Sequence, residues 1–542
     1  GKFPVMTTPA LDLTVAADLI ARAQTIIDRA TDQLAERGGV DANQAFAYDL
    51  AHAASAVATA RFNLDYAARG TTESNLTAAF LADALANIAS RILGRESLWG
   101  LSTNWYEPFA SFVETYRDPK FLASLAETPG PRHLDEQFQM VADTFHKFAE
   151  QVVRPHAEHV HRTNGDVPEE VISGLAELGG FGLSVPEEYG GFADGSESDY
   201  LGMVVATEEL SWGGLGIGGS LITRPEILTR ALVSGGTEEQ KQNWLPRVAT
   251  SEVLGAVAVT EPDYGSDVAG LTTAATKTDG GWLINGTKTW CTFGARANVL
   301  LLLARTDPDR SKTHRGLSLF LVEKPIGDGH GFLFTQDATA EGRSDANGRL
   351  EGRPIDTLGY RGMHSYELSF DNWFVPDTHL IGGDSGLGKG FYYQMAGFEN
   401  GRIQTAARAV GLMQAAYEAA LTYAQNRVVF GEPIVNYELT KVKLGLMASI
   451  IQSTRQYSLG VAKLMAKGEG TLEASMAKAY VCRAAEWVTR EALQIHGGMG
   501  YAEEYPVSRY FVDARVLSIF EGADETLCLK VIARRMLELR QK

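Results

Sequence analysis

The stretch Val259-Thr-Glu-Pro-Asp-Tyr-Gly-Ser-Asp267 marks the point at which the chain changes character. It ends a short apolar run and turns through Pro262 and Gly265, which places Thr260 and Ser266 in the turn. A turn of this kind exposes backbone N–H groups and hydroxyls that can hold a ring edge and a phosphate. Taken alone, it is more typical of an ordinary strand and turn, so its meaning depends on the sequence around it.

The segment around this turn, residues 255–385, predicts a β-domain. Asn285-Gly286 predicts a type I′ hairpin turn, because both central positions of that turn need positive φ. Short apolar runs separated by turn residues are typical of strands. Five such runs occur, at residues 257–260, 282–284, 299–304, 317–322 and 367–370.

Helical apolar spacing dominates on both sides of the β-domain. We expect an N-terminal helical extension at 1–130, a helical domain at 131–254, the β-domain at 255–385 and a C-terminal helical bundle at 386–542. The first boundary lies within Glu127-Thr-Pro-Gly-Pro-Arg132, where two prolines and a glycine interrupt the helices. The expected fold class is therefore mainly α with a central β-domain.

Composition narrows the class of protein. The 542 residues include 67 acidic and 49 basic side chains, a net charge of −18. This balance argues against nucleic acid or an anionic membrane as a partner, and no run of about 18 apolar residues predicts a membrane span. The three cysteines, Cys291, Cys482 and Cys528, show no metal-ligand spacing. We therefore expect no metal and a reducing, cytoplasmic location.

Two further segments carry side chains suited to a large planar cofactor. Lys288-Thr-Trp-Cys-Thr-Phe-Gly294 offers the flat indole of Trp290 and the hydroxyl of Thr292, although a packed strand is the plainer interpretation. Asn426-Arg-Val-Val-Phe-Gly431 places an arginine three residues before an aromatic ring. Such a pair can grip a pyrophosphate and stack on an adenine, while an ordinary helix end is the alternative.

The last candidate segments lie near the C-terminus. Gln494-Ile-His-Gly-Gly-Met-Gly-Tyr501 is a glycine-rich loop that another backbone or a ligand can approach closely. We assign no chemistry to its His496, which has the pattern of a packed histidine. Ser518-Ile-Phe-Glu-Gly-Ala-Asp-Glu525 contains Glu521, which by itself is like any acid at a helix start.

In this order and spacing, these segments resemble the acyl-CoA dehydrogenase family from residue 134 to residue 542. Val185-Pro-Glu-Glu-Tyr-Gly-Gly191 and Tyr505-Pro506 match the family as well. The resemblance implies a helical domain, a β-domain and a C-terminal four-helix bundle, assembled as a homodimer or homotetramer, with FAD between the β-domain and the bundle. It also implies oxidation of an acyl-CoA substrate, with electron-transferring flavoprotein as the electron acceptor.

The resemblance assigns cofactor-binding residues position by position. Arg427 and Phe430 are expected to reach the FAD of a neighbouring subunit. The expected FAD-binding residues are Val257, Val259, Thr260, Ser266, Trp290, Thr292, Arg427, Phe430, Gln494, Gly498, Ala523 and Glu525. Two departures from the family pattern are Glu438, where many members have Gln, and a last helix one residue longer, so no adenine-contacting arginine is assigned.

Glu521 occupies the family's usual position for the base that takes the α-proton. A minority of members carry the base on another helix, at the position of Gly401, and that position is empty here. Burial against the acyl chain is expected to raise the pKa of Glu521 toward neutrality. Residues expected to contact substrate are Ser266, Arg224, Glu399, Arg402 and Gly522.

The acyl group is the least specified feature. The N-terminal extension resembles that of a family member acting on a short branched dicarboxylic thioester, whose distal carboxylate needs a cation. Arg224, in Leu221-Ile-Thr-Arg-Pro-Glu226, is the candidate cation, and a surface or helix-capping arginine is the alternative. Another short or branched-chain dehydrogenase and an acyl-CoA oxidase remain open, as does a scaffold or lid role for residues 1–130.

Overall fold

A computed structural model gives the structure of residues 7–328 and 330–542. The chain divides into two compact units. Unit 1 combines the two ends of the chain, Gly1–Gln137 and Thr405–Lys542, and unit 2 is the intervening segment Phe138–Gln404. No helix in the described ranges has the length and apolar character needed to cross a membrane.

Helices surround a run of strands in the chain order. The helices before the strands are α1 (Leu13–Glu36), α2 (Gln44–Phe62), α3 (Leu64–Ala67), α4 (Thr71–Ile92), α5 (Glu107–Tyr116), α6 (Pro119–Ala123), α7 (Glu136–Phe148), α8 (Arg154–Thr163), α9 (Glu169–Glu177), α10 (Ser198–Gly213), α11 (Leu221–Gly235) and α12 (Glu238–Ala249). The strands that follow are β1 (Gly255–Ala258), β2 (Ala274–Thr278), β3 (Gly281–Thr292), β4 (Val299–Arg305), β5 (Leu317–Glu323), β6 (Phe332–Thr335), β7 (Arg349–Ile355) and β8 (Ser365–Pro376).

The C-terminal part returns to helices after one short hairpin. Its elements are α13 (Gly390–Asn426), β9 (Val428–Val429), β10 (Glu432–Pro433), α14 (Glu438–Ala466), α15 (Thr471–His496), α16 (Pro506–Val516), α17 (Asp524–Thr526) and α18 (Ala533–Gln541). A π-helical segment, Leu527–Ile532, joins the last two helices.

Unit 1 packs the N-terminal helices against the C-terminal ones. α2 is rich in alanine and is buried along most of its length, from Phe46 to Ala60. Hydrogen bonds cross between the two chain ends: Asn63 Nδ2 donates to the Ser453 carbonyl at 2.9 Å, and Ser449 Oγ donates to the Leu76 carbonyl at 2.8 Å. The helices expected at the N-terminus are confirmed, and they share one core with the C-terminal helices.

Unit 2 is built on a mixed sheet. Within residues 7–328 and 330–542, eight strands form this sheet in the order β1-β4-β2-β3-β8-β7-β6, with β5 paired to β4. β4 is buried on both faces, which explains why it appears in the sequence as a continuous apolar run. All five predicted runs overlap observed strands, so the β-domain itself is confirmed, whereas β2, β6 and β7 were not predicted.

The hairpin prediction at Asn285-Gly286 is wrong. β3 runs through these residues, and the turn between β2 and β3 falls at Asp279-Gly280 instead. Asn285 Oδ1 accepts from the backbone N–H of Asn372 at 2.9 Å, and the pairing with β8 shifts register between Ile284 and Gly286. At Gly286, φ is +143° and a Cβ would lie 2.6 Å from Thr273 Oγ1, so this glycine serves a bulge and a close approach rather than a turn.

Candidate active site

Glu521 lies in the loop 517–523, between α16 and α17 of unit 1. Its φ is +53°, in the left-handed region, and that of Gly522 is +95°. A side-chain-bearing residue in this region costs on the order of 1 kcal/mol and persists only where the surroundings hold it. The loop therefore carries its acid on a backbone conformation that needs external support.

Two side chains of α13 hold the Glu521 carboxylate. Arg408 Nη2 donates to Oε2 at 2.5 Å, and Thr405 Oγ1 donates to the same oxygen. Arg408 Nη2 also contacts Thr405 Oγ1 at 2.8 Å, and its guanidinium lies 4.7 Å from the ring centre of Phe520. The side chain of Glu521 is 6% exposed and that of Arg408 is fully buried. The arginine favours the ionised carboxylate, the form that a base requires.

Lys478 of α15 supports the backbone of the same loop. Its buried ammonium donates to the carbonyls of Leu517 at 2.6 Å and of Gly522 at 2.7 Å, one on each side of Glu521. Burial lowers the pKa of Lys478, and the nearby carboxylates of Glu521 and Asp524 oppose that effect. Lys478 therefore links the two sides of the loop through their backbone carbonyls.

In unit 2, the structure brings the first two sequence segments together. The backbone N–H of Thr289 donates to the Thr260 carbonyl at 2.8 Å, which joins the turn after β1 to the end of β3. The β3–β8 register shifts between Lys288 and Cys291, and Trp290 in this irregular stretch has a φ of +54°. Its side chain is 56% exposed, an unusual position for a large apolar ring.

The other candidates of this group belong to the same two segments and differ in burial. Val257 is half-buried on β1, Val259 is buried, and Ser266 is exposed in the turn. Thr292 Oγ1 lies 3.4 Å from Ser365 Oγ. The turn residue Gly265 has nothing within 4 Å of the position a Cβ would take.

A buried ion pair, not predicted from the sequence, stiffens this turn. Lys288 Nζ donates to Glu261 Oε2 at 2.8 Å and to the Val259 carbonyl at 2.9 Å. Glu261 also accepts from the backbone N–H groups of Thr272 and Thr273, at 2.8 and 3.0 Å. Burial lowers the pKa of Lys288 to about 8. Burial would raise the pKa of Glu261, but Lys288 and these hydrogen bonds lower it to about 2.

In unit 1, Phe430 is displayed on a small hairpin. β9 and β10 pair, and the turn between them is Phe430-Gly431, with φ of +53° and +82°. Both values suit a type I′ turn, in which a bulky residue is unusual. Phe430 is 97% exposed. The segment does begin at a helix end, because α13 stops at Asn426, but Gly431 lies in the hairpin turn and is not the cap of that helix.

The remaining cofactor candidates of unit 1 lie in two places. Gln494 and Gly498 are exposed at and after the end of α15, and nothing lies within 4 Å of a Cβ built on Gly498. Ala523 and Glu525 follow Glu521 directly in the chain. His496 is buried and stacks on Tyr423 at 4.2 Å, which supports its interpretation as a packed histidine.

The substrate candidates of unit 2 include two buried cations. Arg224 on α11 and Arg402 on α13 are each 8% exposed. Their helices are tied together, because Asn400 Nδ2 donates to Glu226 Oε1 at 2.7 Å. Burial lowers the pKa of Arg402, and Glu399 opposes that shift.

Cys291, between Trp290 and Thr292 in β3, is buried. Burial raises the pKa of the Cys291 thiol to about 12, and the charges of Lys324 and Arg224 oppose this shift. A cavity of about 500 Å³ elsewhere in unit 2, lined by Trp244, Lys324 and Trp373 among others, includes none of the predicted site residues.

Comparison with known proteins identifies the class. Family models for the N-terminal, middle and C-terminal domains of acyl-CoA dehydrogenases match residues 135–252, 256–373 and 388–537. These ranges cover more than half of the chain, which therefore belongs to the acyl-CoA dehydrogenase family. The fold class predicted from the sequence is confirmed, and the chain is an FAD-dependent oxidoreductase.

Individual relatives narrow the comparison. The (2S)-methylsuccinyl-CoA dehydrogenase of Cereibacter sphaeroides is 43% identical over 412 residues, which are 76% of this chain and 71% of the relative. Butyryl-CoA dehydrogenase from Megasphaera elsdenii matches with a TM-score of 0.66 and 30% identity, over 75% of this chain and 100% of its own. A Mycobacterium smegmatis glutaryl-CoA dehydrogenase in complex with FADH2 matches with a TM-score of 0.64 and 25% identity, over 77% of this chain and 97% of its own.

The residues present suit FAD. An isoalloxazine ring is flat and apolar on its faces and polar at its edge, and the phosphates beyond it need N–H and hydroxyl donors. Exposed Trp290 offers the matching apolar face, and Ser266 and the open side of Gly265 lie in the adjoining turn. Large apolar side chains bury considerable area when covered, so exposed Trp290 gains stability from a bound ring.

Proposed function

We propose that this chain oxidises (2S)-methylsuccinyl-CoA to mesaconyl-CoA, with Glu521 as the base that removes the α-proton. The observation that carries the base assignment is the geometry of Glu521. Its carboxylate is almost fully buried, paired with Arg408 and hydrogen-bonded by Thr405, on a loop whose backbone carbonyls are bound by Lys478. Gly401, the alternative position for a base in the family, has no side chain to offer.

Each group then has a defined task. Glu521 accepts the proton from Cα of the thioester, and its backbone N–H stabilises the oxygen on which negative charge develops. FAD, when bound, supplies the acceptor for the hydride that leaves Cβ. Proton abstraction by a fixed carboxylate contributes about 10²–10⁴-fold to the rate of such reactions.

The proposed substrate rests on charge and on the Cereibacter relative. A dicarboxylic thioester carries a second carboxylate, and an unpaired carboxylate in a buried pocket is costly. Arg224 and Arg402 are buried on two helices joined by Glu226 and Asn400. Arg224 is the proposed partner of the distal carboxylate, and Arg402, Glu399, Ser266 and Gly522 are proposed to contact the substrate.

The cofactor residues and partners form the rest of the proposal. The hairpin of Arg427 and exposed Phe430 is proposed to reach the FAD of a second copy of the chain, which requires a homodimer or homotetramer. Gln494, Gly498, Ala523 and Glu525 are proposed to contact FAD, as are the residues around Thr260 and Trp290. Electron-transferring flavoprotein is the proposed electron acceptor, on the family resemblance.

The base assignment is tested by anaerobic bleaching of the flavin. Glu521→Gln keeps the size and hydrogen-bonding capacity of the side chain but removes the base. We expect it to bind FAD and substrate and to reduce its flavin at least about 10³-fold more slowly. Glu504→Gln, an exposed acid nearby in the chain, is the matched control and should react at the wild-type rate. Normal bleaching by Glu521→Gln removes the assignment.

The substrate is tested with a panel of methylsuccinyl-, succinyl-, butyryl- and isovaleryl-CoA. We expect methylsuccinyl-CoA to have the highest kcat/KM. Arg224→Met should lower the ratio of methylsuccinyl-CoA to butyryl-CoA activity by about 100-fold, since an unpaired buried charge costs several kcal/mol. Arg247→Met, which removes a half-buried guanidinium from the following helix α12, should leave that ratio unchanged. An unchanged ratio in Arg224→Met, or oxygen consumption during turnover, counts against the proposal.

A further inference from the structure

Asp524, three residues after Glu521, is held by two side chains from the N-terminal helix α2. Tyr48 Oη donates to Asp524 Oδ2 at 2.5 Å, and His52 Nε2 lies 2.9 Å from Oδ1. The side chains of His52 and Asp524 are each 4% exposed. These contacts lie within unit 1 and join residues 476 and 472 positions apart in the sequence.

Asp524 closes the loop that carries Glu521. Its backbone N–H donates to the Ser518 carbonyl at 3.0 Å, which ties the end of the loop to its beginning. Burial would raise the pKa of Asp524, but hydrogen bonds and charge from His52, with a contribution from Tyr48, lower it below the ordinary value. The carboxylate is therefore ionised and accepts hydrogen bonds on both oxygens.

We propose that Tyr48 and His52 are positioning residues for Glu521, acting through Asp524; this inference rests on the proposed role of Glu521 as the base. Lys478 holds the loop at the carbonyls of Leu517 and Gly522. Tyr48 and His52 hold its far end at Asp524. With both supports, the left-handed conformation at Glu521 has one stable arrangement. The N-terminal segment therefore contributes to the alignment of the base as well as to the core of unit 1.

The cluster acts through hydrogen bonds rather than through a metal. His52, Asp524 and Cys528 have ligand atoms within 4.8 Å of one another. Burial raises the pKa of the Cys528 thiol, which keeps it protonated and able to donate toward Asp524 at 3.7 Å. Tyr48 and His52 contact one oxygen of Asp524 each, so the observed contacts form a hydrogen-bond network around this carboxylate.

The test uses conservative variants of the holoenzyme. Tyr48→Phe removes one hydroxyl, and His52→Leu removes the imidazole donor. His52→Gln keeps an N–H donor at a similar reach and should restore most of the activity that His52→Leu loses. Tyr66→Phe is the matched control: it removes another phenol of the N-terminal segment, whose hydroxyl donates to the Pro131 carbonyl at 2.8 Å.

We expect flavin reduction to slow by about 10-fold in Tyr48→Phe and by about 100-fold in His52→Leu, since small misalignments of a catalytic group cost this much. The effect should fall on kcat more than on KM, and FAD content should stay close to the wild-type value, because most of the proposed substrate and cofactor contacts lie on other segments. The kinetic isotope effect with α-deuterated substrate should rise, since proton removal becomes slower relative to the other steps. Tyr66→Phe should match the wild type in all of these.

Three outcomes overturn the inference. The first is a wild-type rate of flavin reduction in both Tyr48→Phe and His52→Leu. The second is a loss of rate that accompanies an equal loss of FAD or of folded protein, and that His52→Gln does not restore. The third is a loss of activity on EDTA treatment that Zn²⁺ restores, which identifies the cluster as a metal site.

Glu521→Gln, measured in parallel, separates the two proposals. If Glu521→Gln bleaches normally, the base assignment fails whatever the other variants do. If Glu521→Gln is inactive while Tyr48→Phe and His52→Leu are fully active, the positioning role alone fails. Each result therefore points to one of the two statements.

Discussion

Two buried lysines hold two loops of this enzyme in different ways. In unit 2, Lys288 binds a carboxylate, that of Glu261, and one carbonyl in the turn after β1. In unit 1, Lys478 binds two carbonyls and spans the loop of Glu521. Both side chains are fully buried, at 0% exposure.

The two lysines differ in the groups that they bind, and therefore in whether the carboxylate of the loop takes part in the contact with the lysine. In the turn after β1, the Glu261 carboxylate is itself part of the support, because it accepts hydrogen bonds from four donors. This carboxylate therefore has a structural role. Lys478 holds the loop of Glu521 through its backbone, and the Glu521 carboxylate is bound separately, by Arg408 and Thr405. Backbone carbonyls do not titrate, so the contacts of Lys478 do not depend on the protonation state of Glu521, the proposed base.

Removing the ion pair between Glu261 and Lys288 should have the largest effect, a loss of unfolding free energy. Glu261→Gln leaves the Lys288 ammonium buried without its counter-ion, which typically costs about 3–5 kcal/mol of unfolding free energy. Chemical unfolding measures this loss, and the FAD content of the purified protein should fall with it. The double variant Lys288→Met/Glu261→Leu should recover much of the stability. A stable Glu261→Gln single variant contradicts the importance of the pair.

Acid should weaken the same ion pair between Glu261 and Lys288. The folded-state pKa of Glu261 lies at about 2, below its ordinary value of 4.5. A depressed pKa of this kind contributes stability above pH 4.5, and the contribution is lost as the pH falls toward 2. The shift corresponds to about 3 kcal/mol. The wild type should lose this amount relative to Lys288→Met/Glu261→Leu between these pH values, whereas parallel pH curves contradict the prediction.

Removing the contacts of Lys478 to the two loop carbonyls should lower the rate of flavin reduction more than it lowers stability. Lys478→Met frees the carbonyls of Leu517 and Gly522 and loosens the loop of Glu521. We expect flavin reduction to fall by about 100-fold while FAD stays bound. Lys463→Met, at an exposed position on α14, is the control and should react normally. If Lys478→Met loses FAD before it loses rate, the lysine supports the fold rather than the base.

The smallest effect should come from losing one hydrogen bond to Glu521, the proposed base. Thr405→Val keeps the shape of the side chain but removes the hydroxyl that donates to Glu521. A single hydrogen bond contributes about 1 kcal/mol, so flavin reduction should slow by about fivefold. Thr405→Ser keeps the hydroxyl and should stay close to the wild-type rate. If Thr405→Val slows flavin reduction as much as Lys478→Met does, the contacts of Lys478 to the loop carbonyls are not the more important support.

Local patterns in the sequence predicted five of the eight strands described for the sheet and the helical segments on both sides of it, whereas long-range contacts were not accessible to them. The run 299–304 is buried on both faces and follows the rule for a central strand. Asn285-Gly286 follows the rule for a hairpin, but pairing with β8 and the approach of Thr273 override that local preference. The observed type I′ turn, Phe430-Gly431, has a phenylalanine where turn statistics disfavour one.

The partners of Glu521 illustrate the same limit. Arg408 is a charge within an otherwise apolar stretch of α13, and that anomaly was visible in the sequence. Nothing local, however, links it to a glutamate 113 residues later. Lys478 binds carbonyls, which every residue has, so its role has no sequence pattern at all. The motifs around Glu521 identified the acid, and only packing revealed what holds it.

The composition of unit 1 from both chain ends has a consequence for protein synthesis. The hydrogen bond from Asn63 to Ser453 joins residues 390 positions apart. At about 5–20 residues per second, a ribosome needs roughly 20–80 s to make the second partner after the first. During that time α2, which is buried on most sides in the finished protein, lacks its C-terminal neighbours. The nascent chain should therefore depend on chaperones, and expression should be sensitive to translation speed at residues well after the β-domain.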